Sequence, residues 1–366
     1  AFGLSAATAG DVNGDGYSDL IVGECGHSGN TGKAYVFHGG SSGLSTLPSW
    51  TALGEAIEQR FGYSVASAGD VNGDGYSDVI IGVYGDDDSP PGKAYLYSGS
   101  PSGLSAIPSW TASIEGAGNG FAFCVATAGD VNGDGFSDVI VGAPYYDHPE
   151  NDEGAAFIYF GSSTGLGSVP QLLEADFASG HFGWSVATAG DMNGDGFSDV
   201  IVGEPLYESF LLMGRGGVYP GSPSGLGEAF TYLNAGTIGN LGVSVAAAGD
   251  VNGDGYCDAL AGSSRYDEGA MSTGAALLFY GNGGPGVPLK PMQRQVGDMG
   301  NICHLGMSSS DTAFNTKGTG RTPYGRGLVK GEWEVKPLGT PFNATGMSQT
   351  PAWTDTGVSG TDLSMT

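Results

Sequence analysis

Five short segments of the chain set oxygen-bearing side chains at alternating positions, a spacing that suits a bound metal ion. Each segment is a variant of the nonapeptide Asp-Val-Asn-Gly-Asp-Gly-Tyr-Ser-Asp. The acidic and amide residues at positions 1, 3, 5 and 9 are Asp11, Asn13, Asp15 and Asp19; Asp70, Asn72, Asp74 and Asp78; Asp130, Asn132, Asp134 and Asp138; Asp191, Asn193, Asp195 and Asp199; and Asp250, Asn252, Asp254 and Asp258. An all-oxygen set without His or Cys is typical of Ca²⁺ rather than of zinc or copper. We therefore predict about five calcium sites.

Position 7 of each segment is aromatic, and we expect it to offer its backbone carbonyl rather than its ring. The five residues are Tyr17, Tyr76, Phe136, Phe197 and Tyr256. With a bidentate Asp at position 9, the ligand count reaches the 6 to 8 oxygens that calcium prefers. Glycines at positions 4 and 6, such as Gly73 and Gly75, suit a backbone with positive φ.

Two other loop types begin in the same way but end differently. An EF-hand has a bidentate Glu at position 12 between two helices, and a dockerin-type loop also places its last acid there. Here position 12 is apolar, as at Ile81 within the run Val79–Ile81. The pattern therefore predicts a loop that leads into a strand. A simple Asp-Asn-Gly turn is the remaining alternative, and five copies with every ligand position filled argue against it.

The spacing of the segments shows how they are organised. Their first residues lie at 11, 70, 130, 191 and 250, which gives intervals of 59, 60, 61 and 59 residues. Such a period is typical of stacked supersecondary units. In the second unit we predict four strands: A at 63–68, B at 78–82, C at 93–97 and D near 108–111. Strand B is a continuous apolar run, as expected where both faces are buried. In the fourth unit Pro220 follows Val218 and Tyr219, which predicts a distorted or peripheral strand C.

These residues resemble the FG-GAP repeats of integrin alpha subunits and of secreted bacterial proteins. The matching elements are Phe61-Gly62, Phe182-Gly183, the five nonapeptides and Gly142-Ala143-Pro144. The third and fifth repeats depart from the pattern, with Phe121-Ala122 and Leu241-Gly242. The resemblance implies an all-β fold, a β-propeller of FG-GAP blades over residues 1–285. The predicted repeats are about 1–60, 61–120, 121–181, 182–240 and 241–285.

Residues 286–366 lie outside the repeat. The stretch 327–335 alternates like a strand, and the segment resembles an incomplete fibronectin III-like β-sandwich. The alternative is that it supplies one or two irregular blades. Integrin propellers typically have seven blades, so five repeats leave ring closure to this tail, to another subunit or to upstream sequence.

The composition limits which kinds of partner and which cellular location we expect for the protein. The formal net charge is −27, with only 12 Lys and Arg, which makes nucleic acid an unexpected partner. No apolar stretch is long enough to span a membrane. The acidic surface and the calcium loops suit a secreted, extracellular or cell-surface protein. The chain begins Ala1-Phe2-Gly3, and we expect a mature product or a fragment. Four cysteines allow three disulfide pairings.

A ligand face is expected at the ends of the strands opposite the acidic loops. The B–C loops there carry aromatic and acidic residues. The tyrosines we single out as ligand-binding candidates are Tyr84, Tyr145, Tyr146, Tyr207 and Tyr266. A surface of aromatic and acidic residues at the rim of the propeller suits an extracellular protein or a glycan as the ligand. The alternative is a solvated rim whose tyrosines pack on neighbouring blades.

The sequence offers little for catalysis. It has five His and no serine nucleophile elbow, zinc-protease motif or phosphate-binding loop. We therefore expect a calcium-binding, non-catalytic propeller that mediates adhesion or ligand binding. One alternative is a self-assembling structural subunit of an extracellular filament or surface layer, since edge strands favour pairing. A second is an accessory propeller of a secreted hydrolase.

Overall fold

The computed structural model describes most of the repeat region and the backbone of several short strands after it. It covers residues 2–281 apart from 86–90, 115–117, 148–149, 176, 208–213, 230, 234–238, 253–254 and 266–273. Beyond residue 291 it describes only strand backbone, within 292–365. Of the cysteines, Cys25, Cys124 and Cys257 are free thiols, and Cys303 lies outside the described residues.

The repeat region folds into successive antiparallel sheets, each built from strands that are consecutive in the chain. The first sheet is β1 (Ser5–Gly10), β2 (Asp19–Glu24), β3 (Lys33–Phe37) and β4 (Trp50–Leu53), with a short helical turn α1 (His27–Asn30) between β2 and β3; the second is β5 (Phe61–Gly69), β6 (Asp78–Val83), β7 (Lys93–Tyr97) and β8 (Trp110–Ala112); the third is β9 (Cys124–Gly129), β10 (Asp138–Ala143), β11 (Ala155–Tyr159) and β12 (Gln171–Glu174); the fourth is β13 (Ser185–Gly190), β14 (Asp199–Glu204), β15 (Arg215–Tyr219) and β16 (Thr231–Leu233); the fifth is β17 (Leu241–Gly249), β18 (Asp258–Ser263) and β19 (Ala275–Phe279). The predicted all-β fold is confirmed, and the predicted repeat boundaries stay a prediction.

Short strands follow in the tail. They are β20 (Met292–Arg294), β21 (Asn315–Gly320), β22 (Leu328–Val329), β23 (Glu332–Trp333), β24 (Ser348–Gln349), β25 (Thr354–Asp355) and β26 (Thr361–Met365). They pair as β20-β21-β26, β22-β25 and β23-β24. The predicted strand over 327–335 is represented by two separate two-residue strands, β22 and β23. The assignment of this tail to a sandwich or to irregular blades stays a prediction.

The core lies between neighbouring sheets, and the second strand of each sheet is central to it. Every residue of β6 is buried, and Val79, Ile80 and Ile81 are all 0% exposed. Ile81 packs in the cluster shared with the first sheet, whereas Ile80 packs in the cluster shared with the third. The prediction that strand B is buried on both faces is confirmed. Full burial of one such side chain contributes about 1.5–3 kcal/mol.

The Phe-Gly pair closes the contact between sheets at the ends opposite the acidic loops. Phe61 is 1% exposed and donates its backbone N–H to the Thr31 carbonyl oxygen at 3.1 Å. Gly62 follows with φ of 80°. Its carbonyl oxygen lies so close to Gly23 that a Cβ on Gly23 would sit 2.0 Å away. Adjacent sheets can therefore approach at this point because Gly23 lacks a side chain.

The two departures from the Phe-Gly pattern keep this geometry. Ala122 occupies the glycine position with φ of 62°, a left-handed conformation that costs a residue with a Cβ about 1–2 kcal/mol. Leu241 occupies the Phe position and is 0% exposed. Each of these two substitutions therefore affects only the conformation of the local turn, as expected from the sequence.

The prediction for strand C of the fourth repeat is wrong. β15 is regular and pairs with β14 on one side and β16 on the other. Val218 and Tyr219 are 0% and 5% exposed, so the strand is neither distorted nor peripheral. Pro220 lies one residue beyond the strand end, where its missing N–H removes no ladder hydrogen bond.

At the other end of the sheets, each acidic loop contacts the next one. Ser77 N–H in the second loop donates to the Asp11 carbonyl oxygen in the first at 3.0 Å, and Ser137 N–H donates to Asp70 in the same way at 2.9 Å. The aromatic ring at position 7 covers the glycine at position 4 of the preceding loop. A Cβ on Gly73 would lie 2.7 Å from the Phe136 ring. The loops therefore form part of the contact between sheets.

The outer face of the fifth sheet is more exposed than its counterparts. Leu260 and Leu278 are 38% and 37% exposed, whereas the equivalent Ile80 and Leu96 in the second sheet are 0% and 1% exposed. In the described part of the chain this apolar face is therefore open to solvent.

Relieving the left-handed alanine should stabilise the protein. We expect Ala122→Gly to raise the unfolding free energy by about 0.5–1 kcal/mol, because removal of the strain exceeds the entropy cost of a new glycine. Thermal melting in calcium is the measurement. Ala128→Gly, which removes a fully buried methyl group near the end of β9, is the control and should destabilise. A lower melting temperature for Ala122→Gly would contradict the assigned strain.

The contact between loops should be visible in a matched pair of glycine variants. Gly73 and Gly75 both have positive φ, but nothing lies within 4 Å of a Cβ on Gly75. Both alanine variants carry the left-handed strain, and Gly73→Ala also collides with the Phe136 ring. We expect Gly73→Ala to cost about 1–3 kcal/mol more than Gly75→Ala in thermal or chemical melting. Equal losses would show that the ring does not pack there.

Candidate functional site: acidic loops and an aromatic face

The first Asp of each loop organises the backbone around its side chain. In the second loop Asp70 Oδ1 accepts hydrogen bonds from Gly73 N–H at 2.7 Å and Asp74 N–H at 3.1 Å, while its Oδ2 accepts from Gly75 N–H at 2.8 Å. The same three bonds, at 2.6–3.1 Å, surround Asp11, Asp130 and Asp191. The loop therefore wraps around one carboxylate, which fixes the positions of the following residues.

The residues at positions 3 and 5 form the next layer of the loop. Asn72 Nδ2 donates to Asp74 Oδ2 at 3.0 Å, and Asp74 N–H donates to Asn72 Oδ1 at 2.9 Å. Asp74 Oδ1 accepts from Tyr76 N–H at 3.0 Å. The predicted ligands at positions 1, 3 and 5 are thus brought together in one hydrogen-bonded turn. The fifth loop retains the bond from Gly255 N–H to Asp250 Oδ2 at 2.9 Å, while Asp254 lies outside the described residues.

The acid at position 9 has a role that the sequence did not indicate. Asp78 is 0% exposed, and its Oδ2 accepts from Val71 N–H at 3.0 Å while its Oδ1 accepts from Gly99 N–H at 2.8 Å. This carboxylate therefore ties the start of the loop to the chain just after β7. The equivalent acids make the same two bonds: Asp19, Asp138, Asp199 and Asp258.

Burial makes a negative charge at position 9 unfavourable. It raises the pKa of Asp78 to about 6, of Asp138 to about 7 and of Asp199 to about 8, although two backbone N–H groups oppose the shift in each case. The nearby carboxylates of Asp70 and Asp74 raise the pKa of Asp78 further. A cation close to these oxygens would offset both effects.

The donor set suits a hard cation, although the side chains are arranged around backbone amides. Within the described residues, no three His, Cys, Asp or Glu side chains surround a common point as metal ligands would. Each carboxylate oxygen has two lone pairs, so an oxygen that accepts a single N–H, such as Asp70 Oδ2, can also bind an ion. The all-oxygen chemistry and the mutual repulsion of the acids therefore fit a hard cation such as calcium, and the assignment of its ligands stays a prediction.

At the opposite ends of the strands, aromatic rings from three sheets meet. Tyr84 stacks on Tyr63 with ring centroids 4.9 Å apart, and Phe123 lies 5.4 Å from Tyr63 and 4.8 Å from Trp184. Tyr145 lies 6.3 Å from Phe123. His181, which lies 5.0 Å from Tyr145 and 5.9 Å from Trp184, completes what we call the aromatic cluster: Tyr63, Tyr84, Phe123, Tyr145, His181 and Trp184.

Two of the five predicted ligand-face tyrosines, Tyr84 and Tyr145, belong to this cluster. Tyr146 instead packs on the buried Phe157 at 5.6 Å. Tyr207 packs under the Arg215 guanidinium at 3.7 Å. Tyr266 lies outside the described residues. The structure therefore brings two of the candidates together and places two others in local packing.

Sequence reasoning missed four members of the aromatic cluster, namely Tyr63, Phe123, His181 and Trp184. Tyr63, Phe123 and Trp184 each follow the Phe-Gly or Phe-Ala pair directly. An aromatic residue at this third position in three consecutive repeats was the available signal. All three are half-buried, so their rings are partly open to solvent.

Within the described residues, none of the helical structure has the length and apolar character needed to cross a membrane.

The family described as FG-GAP repeat matches residues 125–159 and 182–219, and the family described as FG-GAP-like repeat matches 11–81 and 70–141. Both sets of matches fall on the sheets and acidic loops described above.

Curated relatives of the chain are integrin alpha subunits. Integrin alpha-V of Gallus gallus is 32% identical over 220 residues, 55% of this chain and 20% of that protein. Integrin alpha pat-2 of Caenorhabditis briggsae is 30% identical over 290 residues, 74% of this chain and 23% of that protein. The chain thus spans about a fifth of the length of these relatives.

Among solved structures, the V. cholerae biofilm matrix protein Bap1 matches 76% of this chain and 69% of its own, with a TM-score of 0.34 and 10% identity. A similarity of that size carries no argument about fold or function. The repeat matches and the integrin relatives do identify the family, because they cover the same antiparallel sheets that hold the acidic loops. The chain belongs to the FG-GAP repeat proteins that resemble integrin alpha subunits.

Proposed function

We propose that the chain is a calcium-binding, non-catalytic β-propeller segment that works outside the cell and binds a protein or glycan ligand in adhesion. The observation that carries the proposal is the set of five acidic loops on one face. In the first four loops, the side chains at positions 1, 3 and 5 share one hydrogen-bonded turn, which leads to a buried Asp at position 9. The similarity to integrin alpha subunits supports an adhesive, ligand-binding role.

Charge supports calcium in the loops. Each loop has three Asp, so five loops hold 15 of the 39 acidic residues. Five Ca²⁺ would add 10 positive charges to the formal net charge of −27, which leaves −17. The side-chain oxygens at positions 1, 3, 5 and 9, together with the carbonyl at position 7, would hold each ion. Bound calcium would neutralise carboxylates that otherwise repel one another across a few ångströms.

The compartment follows from the same sites. Calcium loops of extracellular modules bind with dissociation constants of about 10⁻⁴–10⁻³ M, which is useful only where calcium is abundant. The excess of acidic over basic residues favours solubility in such surroundings. An extracellular or cell-surface location is therefore the one in which these loops would be occupied.

For the ligand we propose the aromatic cluster as the contact surface. Its rings are half-buried and hold one another in place, so binding would cost little side-chain entropy. Tyr and Trp side chains are enriched among the residues that dominate binding energy. Arg60, whose guanidinium lies 5.5 Å from the Tyr84 ring, places a positive charge beside the cluster on an otherwise acidic protein.

Calcium should stabilise the protein measurably. Each site contributes about 2.7 kcal/mol when calcium is a hundredfold above the dissociation constant. We expect chelation to lower the melting temperature strongly and calorimetric titration to give about five ions per chain. Asp74→Ala should remove one site. Glu228→Ala, an exposed acid outside the loops, is the matched control. A melting temperature indifferent to both chelator and calcium would refute calcium binding.

The ligand face can be tested with a screen of immobilised matrix proteins and glycans in calcium. For any ligand captured, we expect Trp184→Ala to weaken binding at least tenfold, because a buried aromatic contact typically contributes 2 kcal/mol or more. The control is Trp50→Phe. Trp50 lies in β4 of the first sheet, outside the aromatic cluster, and this variant should bind the ligand normally. Unchanged affinity for a folded Trp184→Ala variant would remove the aromatic cluster from the ligand site.

A further inference from the structure

A groove opens between the second and third sheets on the face that carries the acidic loops. Its volume is about 360 Å³. It runs along the edge of the second acidic loop, past the chain that follows β7, to the connection between β11 and β12. The residues used below are Asn72, Asp74, Ser98, Ser109, Trp110 and Thr164.

The groove exists because the residue after β7 is small. In the first, third, fourth and fifth sheets the position of Ser98 is taken by His38, Phe160, Pro220 and Tyr280. Two of these side chains reach the glycine at the far wall of their own junction. The His38 ring lies 3.4 Å from a Cβ placed on Gly103, and the Phe160 ring lies 2.7 Å from one placed on Gly225.

The corresponding glycine at the second junction is open. Nothing lies within 4 Å of a Cβ placed on Gly165, which lines the groove. The three junctions share the same glycine with positive φ, at 88°, 93° and 95° for Gly103, Gly165 and Gly225. The backbone is therefore the same, and the side chain at one position decides whether the space is filled.

The lining combines hydroxyl groups with one fixed indole ring. Ser98 Oγ and Ser109 Oγ lie 2.8 Å apart and share a hydrogen bond. Trp110 is held by a bond from its Nε1–H to the Gly167 carbonyl oxygen at 3.0 Å and by the Tyr159 ring at 4.7 Å. The Trp110 side chain is half-buried. Its orientation is thus set before any ligand arrives.

We propose that this groove binds a neutral saccharide. A sugar ring has an apolar face of C–H groups that can pack on an indole ring, and hydroxyl groups that can both donate to and accept from Ser98, Ser109 and Thr164. The Asn72 amide and the Asp74 carboxylate at the edge add further hydrogen-bonding groups. The volume is at the lower end for small-molecule sites, which suits about one or two sugar rings.

Charge restricts the class of sugar. Even with Ca²⁺ in all five acidic loops, the whole chain would keep a formal net charge of −17. Uronic acids and sulfated sugars would therefore be repelled. A neutral sugar carries no charge to be repelled, and its hydroxyl groups can bond to the serine and threonine hydroxyl groups of the lining. The proposal goes beyond the proposed function, because it places a second binding site on the face opposite the aromatic cluster.

The experiment is calorimetric titration of the full chain, in millimolar calcium, with maltopentaose, cellopentaose, mannopentaose and chitopentaose. Oligogalacturonate and a heparin oligosaccharide form the anionic set. We expect at least one neutral oligosaccharide to bind and the anionic set not to bind. Ser98→Phe, which copies the residue at position 160, should lower the affinity at least tenfold while the melting temperature and the calcium response stay unchanged.

The matched control is Ser42→Phe, at an exposed serine in the connection between β3 and β4 of the first sheet, which should bind as the wild type does. If Ser98→Phe fails to fold, Ser98→His copies the residue at position 38 and serves the same purpose. The proposal is overturned if no neutral oligosaccharide binds, if a folded Ser98 variant binds as tightly as the wild type, or if only the anionic sugars bind. Absence of any calcium response, or unchanged binding of a captured ligand by a folded Trp184→Ala variant, would refute the proposed function and leave this result standing.

Discussion

The first Asp of each acidic loop joins two structural levels, and the arrangement of the sheets depends on it. Its side chain accepts three backbone N–H groups of its own loop, as at Asp70. Its carbonyl oxygen accepts an N–H from the next loop, as from Ser137 to Asp70. The conformation of one loop therefore sets the position of the following sheet. This hydrogen bond joins neighbouring loops in addition to the apolar core that the sheets share.

Neighbouring sheets make close contacts at both of their ends, but through different groups. At the loop end, backbone N–H groups bond from sheet to sheet and aromatic rings cover glycines. At the other end, the buried Phe61 and the carbonyl of Gly62 fit against the bare Cα of Gly23. Large side chains are excluded from the closest contacts at both ends. The aromatic residues that follow the pairs of the second, third and fourth repeats, Tyr63, Phe123 and Trp184, are half-buried, and their rings meet across neighbouring sheets.

Sequence periodicity was sufficient for the acidic loops and the buried second strands, because both depend on residues within one repeat. It was insufficient wherever two repeats meet. The ring of Phe136 covers Gly73, about sixty residues earlier, and the aromatic cluster joins rings from three repeats. Asp78 was expected to face only a metal, but its partner Gly99 lies 21 residues along the chain. Pro220 misled the prediction because a proline just past a strand end looks, in sequence, like one inside it.

A repeated backbone lets a single side chain create or remove a binding surface without cost to the fold. The positions equivalent to Ser98 follow strands with the same pairing, and their residues range from serine to phenylalanine and tyrosine. They lie at the edge of the core between sheets, where Phe160 packs against the cluster shared by the third and fourth sheets. Where the side chain is large it fills the junction, as Phe160 does against Gly225. Where it is small, as at Ser98, the fixed indole of Trp110 and the hydroxyl groups beside it line open space. Because the interactions that hold the sheets together lie elsewhere, specificity in such a protein can change at one junction while the others keep the structure intact.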